Sequence, residues 1–202
     1  MNILDIFPTP IAISQFNRKF TDNEMDFFIS EEATAIKNCG NLMGKNQYVL
    51  ELELLADIKS FIEGSLNTFL QNVYRPQNNI TAHVTQSWIS YVKDGQEFHR
   101  HVHQNSIVSG CLYINADRSK DKINFYKNDY QQILIPTKQN NQYNTGMASV
   151  PVGSYDLVLF PSKLYHAVPE YNNSNTRISL AFNSFIKGKL SDGFNLLDLE
   201  LN

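Results

Sequence analysis

The spacing of hydrophobic residues predicts two helices in the first third of the chain. A first helix is expected to begin at the capping residues 21–23 and to end at Gly40. A second helix is predicted where aliphatic and aromatic residues recur three and four apart between Leu54 and Val73. Pro76 ends this second pattern, because the residue before a proline is driven away from helical geometry.

From residue 80 onward the hydrophobic period shortens to that of β-strands. Polar and apolar residues alternate over 81–88, and short apolar runs bounded by Gly, Pro, Asn or Asp follow. The further predicted strands are 107–114, 123–126, 132–135, 147–152, 156–160 and 177–186. Helices ahead of seven or eight short strands predict a mostly β (α+β) fold, a sandwich or barrel with helices covering one sheet. We expect one domain over 1–202, with a helical part at about 20–75 and a β core at about 80–187.

Composition excludes several classes of partner. The 202 residues carry a formal net charge of −3 without a block of like charges, so neither nucleic acid nor an anionic membrane is an expected partner. No apolar run is long enough for a membrane helix, and the first residues lack the basic start of a signal peptide. Cys39 and Cys111 are too few for a disulfide framework and are interpreted as ordinary apolar residues. The chain is therefore expected to be a cytoplasmic globular protein.

Three of the five histidines stand in one phrase, at positions 99, 101 and 103. If this segment is extended, all three side chains point to one face, and neighbouring ones lie roughly 6.6 Å apart along the chain. Either His99 with His101, or His101 with His103, could then bind one ion. The alternative interpretation is a solvated strand end with three ordinary histidines.

The C-terminal half adds His166, followed eleven residues later by a strand that opens with Arg177 and Ser179. Together with the earlier histidines, this order resembles the iron(II)/2-oxoglutarate-dependent oxygenase superfamily, and more narrowly a family of bacterial and phage 2-oxoglutarate oxygenases. The matching stretches are 6–11 (IFPTPI), 87–89 (SWI), 101–106 (HVHQNS), 109–113 (SGCLY), 159–162 (LFPS), 166–168 (HAV) and 177–183 (RISLAFN). The resemblance implies a double-stranded β-helix of the jelly-roll type, preceded by supporting helices.

The resemblance also implies the chemistry and the residues that perform it. In that superfamily Fe(II) is held by three side chains, 2-oxoglutarate is the cosubstrate and dioxygen the oxidant, and succinate and CO₂ are released as the substrate is hydroxylated. By the motif match, His101 is the first metal ligand and His166 the distal one. Arg177 and Ser179 match the pair that binds the far carboxylate of 2-oxoglutarate, which suits a guanidinium fork. Tyr113 is either a hydroxyl donor to the same carboxylate or a core tyrosine.

His103 departs from the usual pattern, which has Asp or Glu two residues after the first histidine. We expect His101, His103 and His166 to be the metal ligands and the catalytic site, with His99 outside the ligand set. A carboxylate from Asp94, Glu97 or Asp156 is the alternative third ligand, although none of these has the family spacing. Three neutral imidazoles would leave the site one charge more positive than two imidazoles with a carboxylate.

Two other function classes remain open at this point. A three-histidine cupin dioxygenase would need no 2-oxoglutarate, and Gly95 with the His101 pair copies the start of its motif. The cupin glutamate is missing, and Gly153 lies too far ahead of His166 for the second cupin motif. A non-catalytic jelly roll used for binding or virion structure is the other alternative. The expected substrate is a small molecule or peptide, and a homodimer is expected through the N-terminal helices.

Overall fold

The computed structural model describes residues 1–128, 133, 135–191 and 199–201. Two α-helices, α1 (Asp22–Ser30) and α2 (Ala56–Val73), precede most of the strands, and three short 3₁₀ turns lie at Glu31–Thr34, Val49–Glu51 and Glu53–Leu55. The strands are β1 (Ala12–Gln15), β2 (Ile36–Lys37), β3 (Leu42–Met43), β4 (Thr81–Val92), β5 (Phe98–His101), β6 (Val108–Asn115), β7 (Lys122–Tyr126), β8 (Met147–Pro151), β9 (Asp156–Pro161), β10 (Tyr165–Val168), β11 (Arg177–Lys189) and β12 (Glu200–Leu201). No helix in the described ranges is long and apolar enough to cross a membrane.

The strands of the described residues form two antiparallel sheets. The larger sheet has the order β1-β9-β6-β11-β4-β3-β2, with β12 paired to β11, and the smaller sheet has the order β5-β10-β7-β8. From β4 to β11, consecutive strands alternate between the larger and the smaller sheet, except that β7 and β8 both lie in the smaller one. This is the double-stranded β-helix arrangement. The predicted mostly β jelly-roll class, with helices ahead of it, is confirmed.

The larger sheet divides its two faces between the core and a cavity. Along β11, Leu180 and Phe182 are fully buried against the helices, whereas Ser179 and Ala181 line a cavity between the two sheets. This alternation follows from the two-residue period of a strand. Helix α2 covers the core face with its buried side chains, which are Ile58, Ile62, Leu66, Phe69 and Leu70. The helices therefore seal one face and leave the other free to form a site.

The first helix is shorter than the sequence predicts, and the expectation that it ends at Gly40 is wrong. Thr21 caps it in a capping box with Glu24, but the helix ends at Ser30. Ala35 is extended, and Ile36–Lys37 pairs with Leu42–Met43 to add a hairpin to the edge of β4. The sheet edge offers these residues backbone hydrogen bonds that a longer helix would forgo.

Other predicted elements agree with the structure to within a few residues. The second helix ends at Val73 as predicted, and the predicted strands after residue 80 lie where expected apart from 132–135, although β4 and β11 run further. The strands β1, β10 and β12 were not predicted, and for β5 an extended conformation was considered only as one alternative, because strands of two to four residues carry too little periodicity. Of the predicted strand 132–135, positions 132 and 134 lie outside the described residues, and no strand is assigned at 133 or 135.

Candidate active site

Three histidines meet where the two sheets face each other. His101 is the last residue of β5 and pairs directly with His166 of β10, while His103 follows two residues after the end of β5. One ring nitrogen from each side chain lies within 4.8 Å of the other two. The Nε2 atoms of His101 and His103 are 3.1 Å apart. The sequence expectation that these three side chains converge therefore agrees with the geometry, although His103 is not on the strand itself.

The Nδ1 atom of each imidazole is held by an oxygen, which orients the other nitrogen towards the shared centre. His101 Nδ1 lies 2.8 Å from the carbonyl of His99, and His166 Nδ1 lies 3.0 Å from the carbonyl of Leu164. His103 Nδ1 lies 2.5 Å from the amide oxygen of Asn183. These acceptors require Nδ1 to carry the proton, so the Nε2 lone pairs face one another without hydrogen. Such a cluster is suited to a cation and is otherwise repulsive.

Burial keeps these histidines neutral. Desolvation is the main cause that lowers the pKa of His103 to about 4 and that of His166 to about 3, and the neighbouring His101 is the second. The pKa of His101 is also lowered, chiefly by desolvation and against the hydrogen bond to His99. Neutral imidazole is the form that binds divalent transition metals. The electrostatics of the pocket therefore favour metal binding over protonation.

A polar network that the sequence analysis did not identify supports His103. Asn183 donates its amide N–H to Gln86, which directs its oxygen towards His103. Ser109 adds a hydroxyl 3.0 Å from His103 Nδ1. Asn183 lies at a bulge between β11 and β4, and Ser109 pairs with it across β11 and β6. The available signal was the position of Asn183, on the same face of the strand as Arg177 and Ser179.

The predicted carboxylate-binding residues Arg177, Ser179 and Tyr113 lie on the face of the larger sheet that lines the cavity. Arg177 is 2% exposed, and donates to the carbonyl of Lys122 at 3.2 Å and to the hydroxyl of Tyr113 at 3.2 Å. Its guanidinium lies 4.9 Å from the Tyr113 ring centroid. Its Nε atom is buried without a hydrogen-bond partner, and it forms no ion pair with a described carboxylate. The buried carboxyl of Asp121 interacts electrostatically with Arg177 without forming an ion pair, so the unsatisfied Nε–H remains available to an anionic ligand.

One cavity joins the histidine cluster to Arg177. Its free volume is about 40 Å³. Its lining contains all three histidines, Tyr113, Arg177 and Ser179, together with Trp88, Phe98, Phe160 and Cys111. Phe98 lies 4.4 Å from His101 and Phe160 lies 4.5 Å from His166, measured between ring centroids. The arrangement can hold a cation and a carboxylate in one desolvated chamber.

The other residues considered from the sequence lie elsewhere. The His99 ring lies 5.1 Å from the His101 ring, centroid to centroid and tilted against it, but His99 does not join the cluster. Among the described residues, no carboxylate is grouped with the three histidines, so neither Asp94 nor Glu97 is placed as a ligand. Asp156 is fully buried, but it accepts hydrogen bonds from Arg118 and the Gly153 amide. The carboxylate alternative for the third ligand therefore has no support in this geometry.

A protein-family model matches the part of the chain that forms the site. Residues 86–183 match the model of the family described as "Putative 2OG-Fe(II) oxygenase". This range begins in β4 and ends in β11, and it contains the three clustered histidines, Tyr113, Arg177 and Ser179. No curated protein matches the chain.

Solved structures with the same fold include three proteins of low sequence identity. A prolyl-4-hydroxylase from Pseudomonas putida has 14% identity and a TM-score of 0.55, covering 87% of this chain and 92% of its own. HygX from Streptomyces hygroscopicus, solved with nickel and 2-oxoglutarate, has 11% identity and a TM-score of 0.56, covering 87% and 82%. A 2OG-Fe(II) oxygenase family oxidoreductase from Burkholderia pseudomallei has 8% identity and a TM-score of 0.55, covering 86% and 83%. These likenesses show the fold.

Proposed function

We propose that this chain is an Fe(II)- and 2-oxoglutarate-dependent dioxygenase, a proposal supported by the match of residues 86–183 to the 2OG-Fe(II) oxygenase family model. It hydroxylates a small-molecule or peptide substrate, R–H + O₂ + 2-oxoglutarate → R–OH + succinate + CO₂. The observation that carries this proposal is the single cavity with the three-histidine cluster and the unpaired Arg177 in its lining.

The three histidines are the proposed metal ligands. His101, His103 and His166 present neutral Nε2 atoms at one point, and each ring is oriented through Nδ1 by an oxygen acceptor. Three ligands on one side of a metal leave the remaining coordination positions open. Iron in such a site supplies the activation of dioxygen. The surrounding phenylalanines exclude water and keep the imidazoles neutral.

Arg177, Ser179 and Tyr113 are the proposed cosubstrate-binding residues. The Arg177 side chain can bind the far carboxylate of 2-oxoglutarate in a charge-assisted fork. Tyr113 accepts a hydrogen bond from Arg177 and thereby orients the guanidinium, and Ser179 places a hydroxyl on the same face. Burial raises the pKa of Tyr113 strongly, which keeps its hydroxyl protonated.

The arginine corner distinguishes this proposal from the two alternatives. A three-histidine cupin dioxygenase would share the metal cluster but has no use for a buried cation in the same cavity. A purely structural jelly roll would need no buried cation at position 177, where the cost of burying the charge offsets the two hydrogen bonds that Arg177 donates. Neither alternative uses the Arg177 Nε–H, which has no partner among the described residues.

The decisive experiment is an anaerobic titration of Fe(II)-loaded protein with 2-oxoglutarate, followed by visible absorption. Chelation of iron by the keto acid is expected to produce a weak metal-to-ligand charge-transfer band. The band should be lost in His166→Ala and kept in His99→Ala, which changes an exposed neighbour outside the cluster. Iron binding without a band would favour the cupin alternative, and the lack of iron binding would favour the structural one.

A further inference from the structure

A second unpaired polar atom in the same cavity belongs to Asn41. This residue is 2% exposed, lines the cavity with Trp88 and Val92, and has a buried Oδ1 atom without a hydrogen-bond partner among the described residues. Its Nδ2 atom donates to the carbonyl of Leu42 at 3.1 Å. A flipped amide would bring two acceptors together, so the free atom is the oxygen.

The fold holds Asn41 firmly at this position. It directly precedes β3, whose Leu42 pairs with Tyr91 and packs on the core side of the sheet. Strand alternation therefore turns Asn41 to the cavity side. Gly40 in the preceding turn has a φ of +103°, and an added Cβ there would lie 2.5 Å from the carbonyl oxygen of Glu97. The turn thus packs against the segment that leads into β5.

Neither the metal nor the cosubstrate can satisfy the Asn41 oxygen. At neutral pH 2-oxoglutarate is a dianion whose polar atoms are all acceptors, and a metal site here already has three imidazole ligands. The oxygen needs a donor, because a buried acceptor without one has lost its hydration. The donor is also uncharged, since no aspartate or glutamate is among the described residues that line the cavity. A buried ammonium group would find no carboxylate side chain of the protein in this lining.

On the basis of the proposed function, we propose that Asn41 is a specificity-determining residue that accepts a hydrogen bond from a neutral N–H or O–H group of the substrate. Apart from Ser90, the lining contributed by β4, Phe98 and Val168 is apolar or aromatic, with Trp88 and Val92 on β4. The substrate class is therefore an amide or alcohol on an apolar body. Amines and carboxylic acids are excluded as the group that meets Asn41.

The chain supplies its own reporter for a test, because Trp88 is its one tryptophan and lines the cavity. Trp88 emission, excited at 295 nm, is recorded for anaerobic protein loaded with Fe(II) and 2-oxoglutarate. The probes are cyclohexanecarboxamide, cyclohexylmethanol, methyl cyclohexanecarboxylate and cyclohexylmethylamine, which share one apolar ring and do not absorb at this wavelength. The carboxamide or the alcohol should bind more tightly than the ester and the amine.

Substitutions at Asn41 identify the acceptor. Asn41→Leu should weaken binding of the preferred probe about 3- to 10-fold and leave the ester unchanged, as expected for one neutral hydrogen bond. Asn41→Asp keeps an acceptor of the same shape and should shift the preference towards the amine. Asn38→Leu, in the same turn but outside the cavity lining, is the control and should behave as the wild type.

The outcomes separate this inference from the function on which it rests. If the charge-transfer band forms normally in Asn41→Leu but the ester and the preferred probe bind equally in the wild type, the role of Asn41 is refuted while the oxygenase proposal stands. Lack of binding by all four probes also refutes it. If the band never forms in the wild type, the oxygenase proposal itself fails. Should Asn41→Leu not fold, the amine preference of Asn41→Asp decides the matter.

Discussion

Replacing Arg177 with methionine tests whether its charge is held for a ligand. The side chain is buried, and its guanidinium has two neutral hydrogen-bond acceptors and no described carboxylate partner. Methionine has a similar length and removes a buried charge, and this change raises the stability of the fold. The substitution also leaves the Lys122 carbonyl and the Tyr113 hydroxyl without their donor, and this loss lowers the stability. These effects offset each other, so the stability of the metal-loaded variant without 2-oxoglutarate should stay within about 2 kcal/mol of the wild type.

The cost should instead appear in 2-oxoglutarate binding. Each charge-assisted hydrogen bond contributes at least about 1.5 kcal/mol, so loss of a two-bond fork raises the Kd about 100-fold. At a 2-oxoglutarate concentration of about 100 wild-type Kd, the wild type gains about 2.7 kcal/mol of stability. The variant, then at about its own Kd, gains about 0.4 kcal/mol. For a chain of this size, these gains correspond to Tm increases of about 5–11 °C and about 1–2 °C.

Thermal unfolding of nickel-loaded protein with and without 2-oxoglutarate measures the Tm increase of the wild type and that of the variant. Nickel keeps the site occupied without turnover. Lys187→Met, which removes an exposed cation from the same strand, is the control and should keep the wild-type increase. The metal-induced rise in Tm should be equal in all three proteins, because Arg177 contacts none of the histidines. A full 2-oxoglutarate-dependent increase in Arg177→Met would refute the assignment of Arg177 to the cosubstrate.

Three further predictions concern the histidine support, the first helix and the core. Asn183→Leu should weaken metal binding about 10- to 100-fold by calorimetry, because His103 loses its principal acceptor; unchanged affinity would show that Ser109 suffices. Glu24→Gln should cost about 1–2 kcal/mol above pH 5, because Arg18 holds the pKa of the Glu24 carboxyl below its usual value. This difference should disappear as the pH falls through the folded-state pKa, and a pH-independent cost in denaturant titrations would contradict it. Gly110→Ala should destabilise the fold by about 1–3 kcal/mol, since the added Cβ would lie 2.6 Å from the Phe182 ring. Gly64→Ala is the control and should be neutral or stabilising, because a Cβ there meets no atom within 4 Å. Equal effects of the two substitutions would refute the packing argument.

The sequence could predict which side chains meet in the cavity because they stand in short motifs. The His101 and His103 pair was expected from strand spacing, although in the structure β5 ends at His101 and His103 follows it. The third member, His166, was recognisable only by its order relative to Arg177, since β10 is too short to show a period. Its cross-strand pairing with His101 is a long-range contact that a local pattern does not contain.

The supporting residues were not identified from the sequence, because their contacts depend on registers between distant strands. For Asn183 the sequence offered only its strand face, whereas its contact with His103 lies where the pairing of β11 with β4 shifts register. Asn41 reaches the cavity only because the chain leaves the first helix early and adds a hairpin beside β4. An asparagine in either sequence context has the local features of an ordinary turn or strand residue. Tertiary pairing decides both positions.

A third histidine in place of a carboxylate changes the charge balance of the proposed metal centre, and the residue that supports His103, Asn183, is also neutral. Two imidazoles and a carboxylate around Fe(II), with dianionic 2-oxoglutarate and Arg177, would sum to zero. Replacement of the carboxylate by His103 leaves one positive charge in a desolvated chamber. An aspartate at position 183 would offset that charge, but the chain has an amide there, fixed by Gln86. The residual positive charge would therefore favour binding of the dianion over binding of the metal, and Asn41 adds a neutral acceptor to the cavity lining.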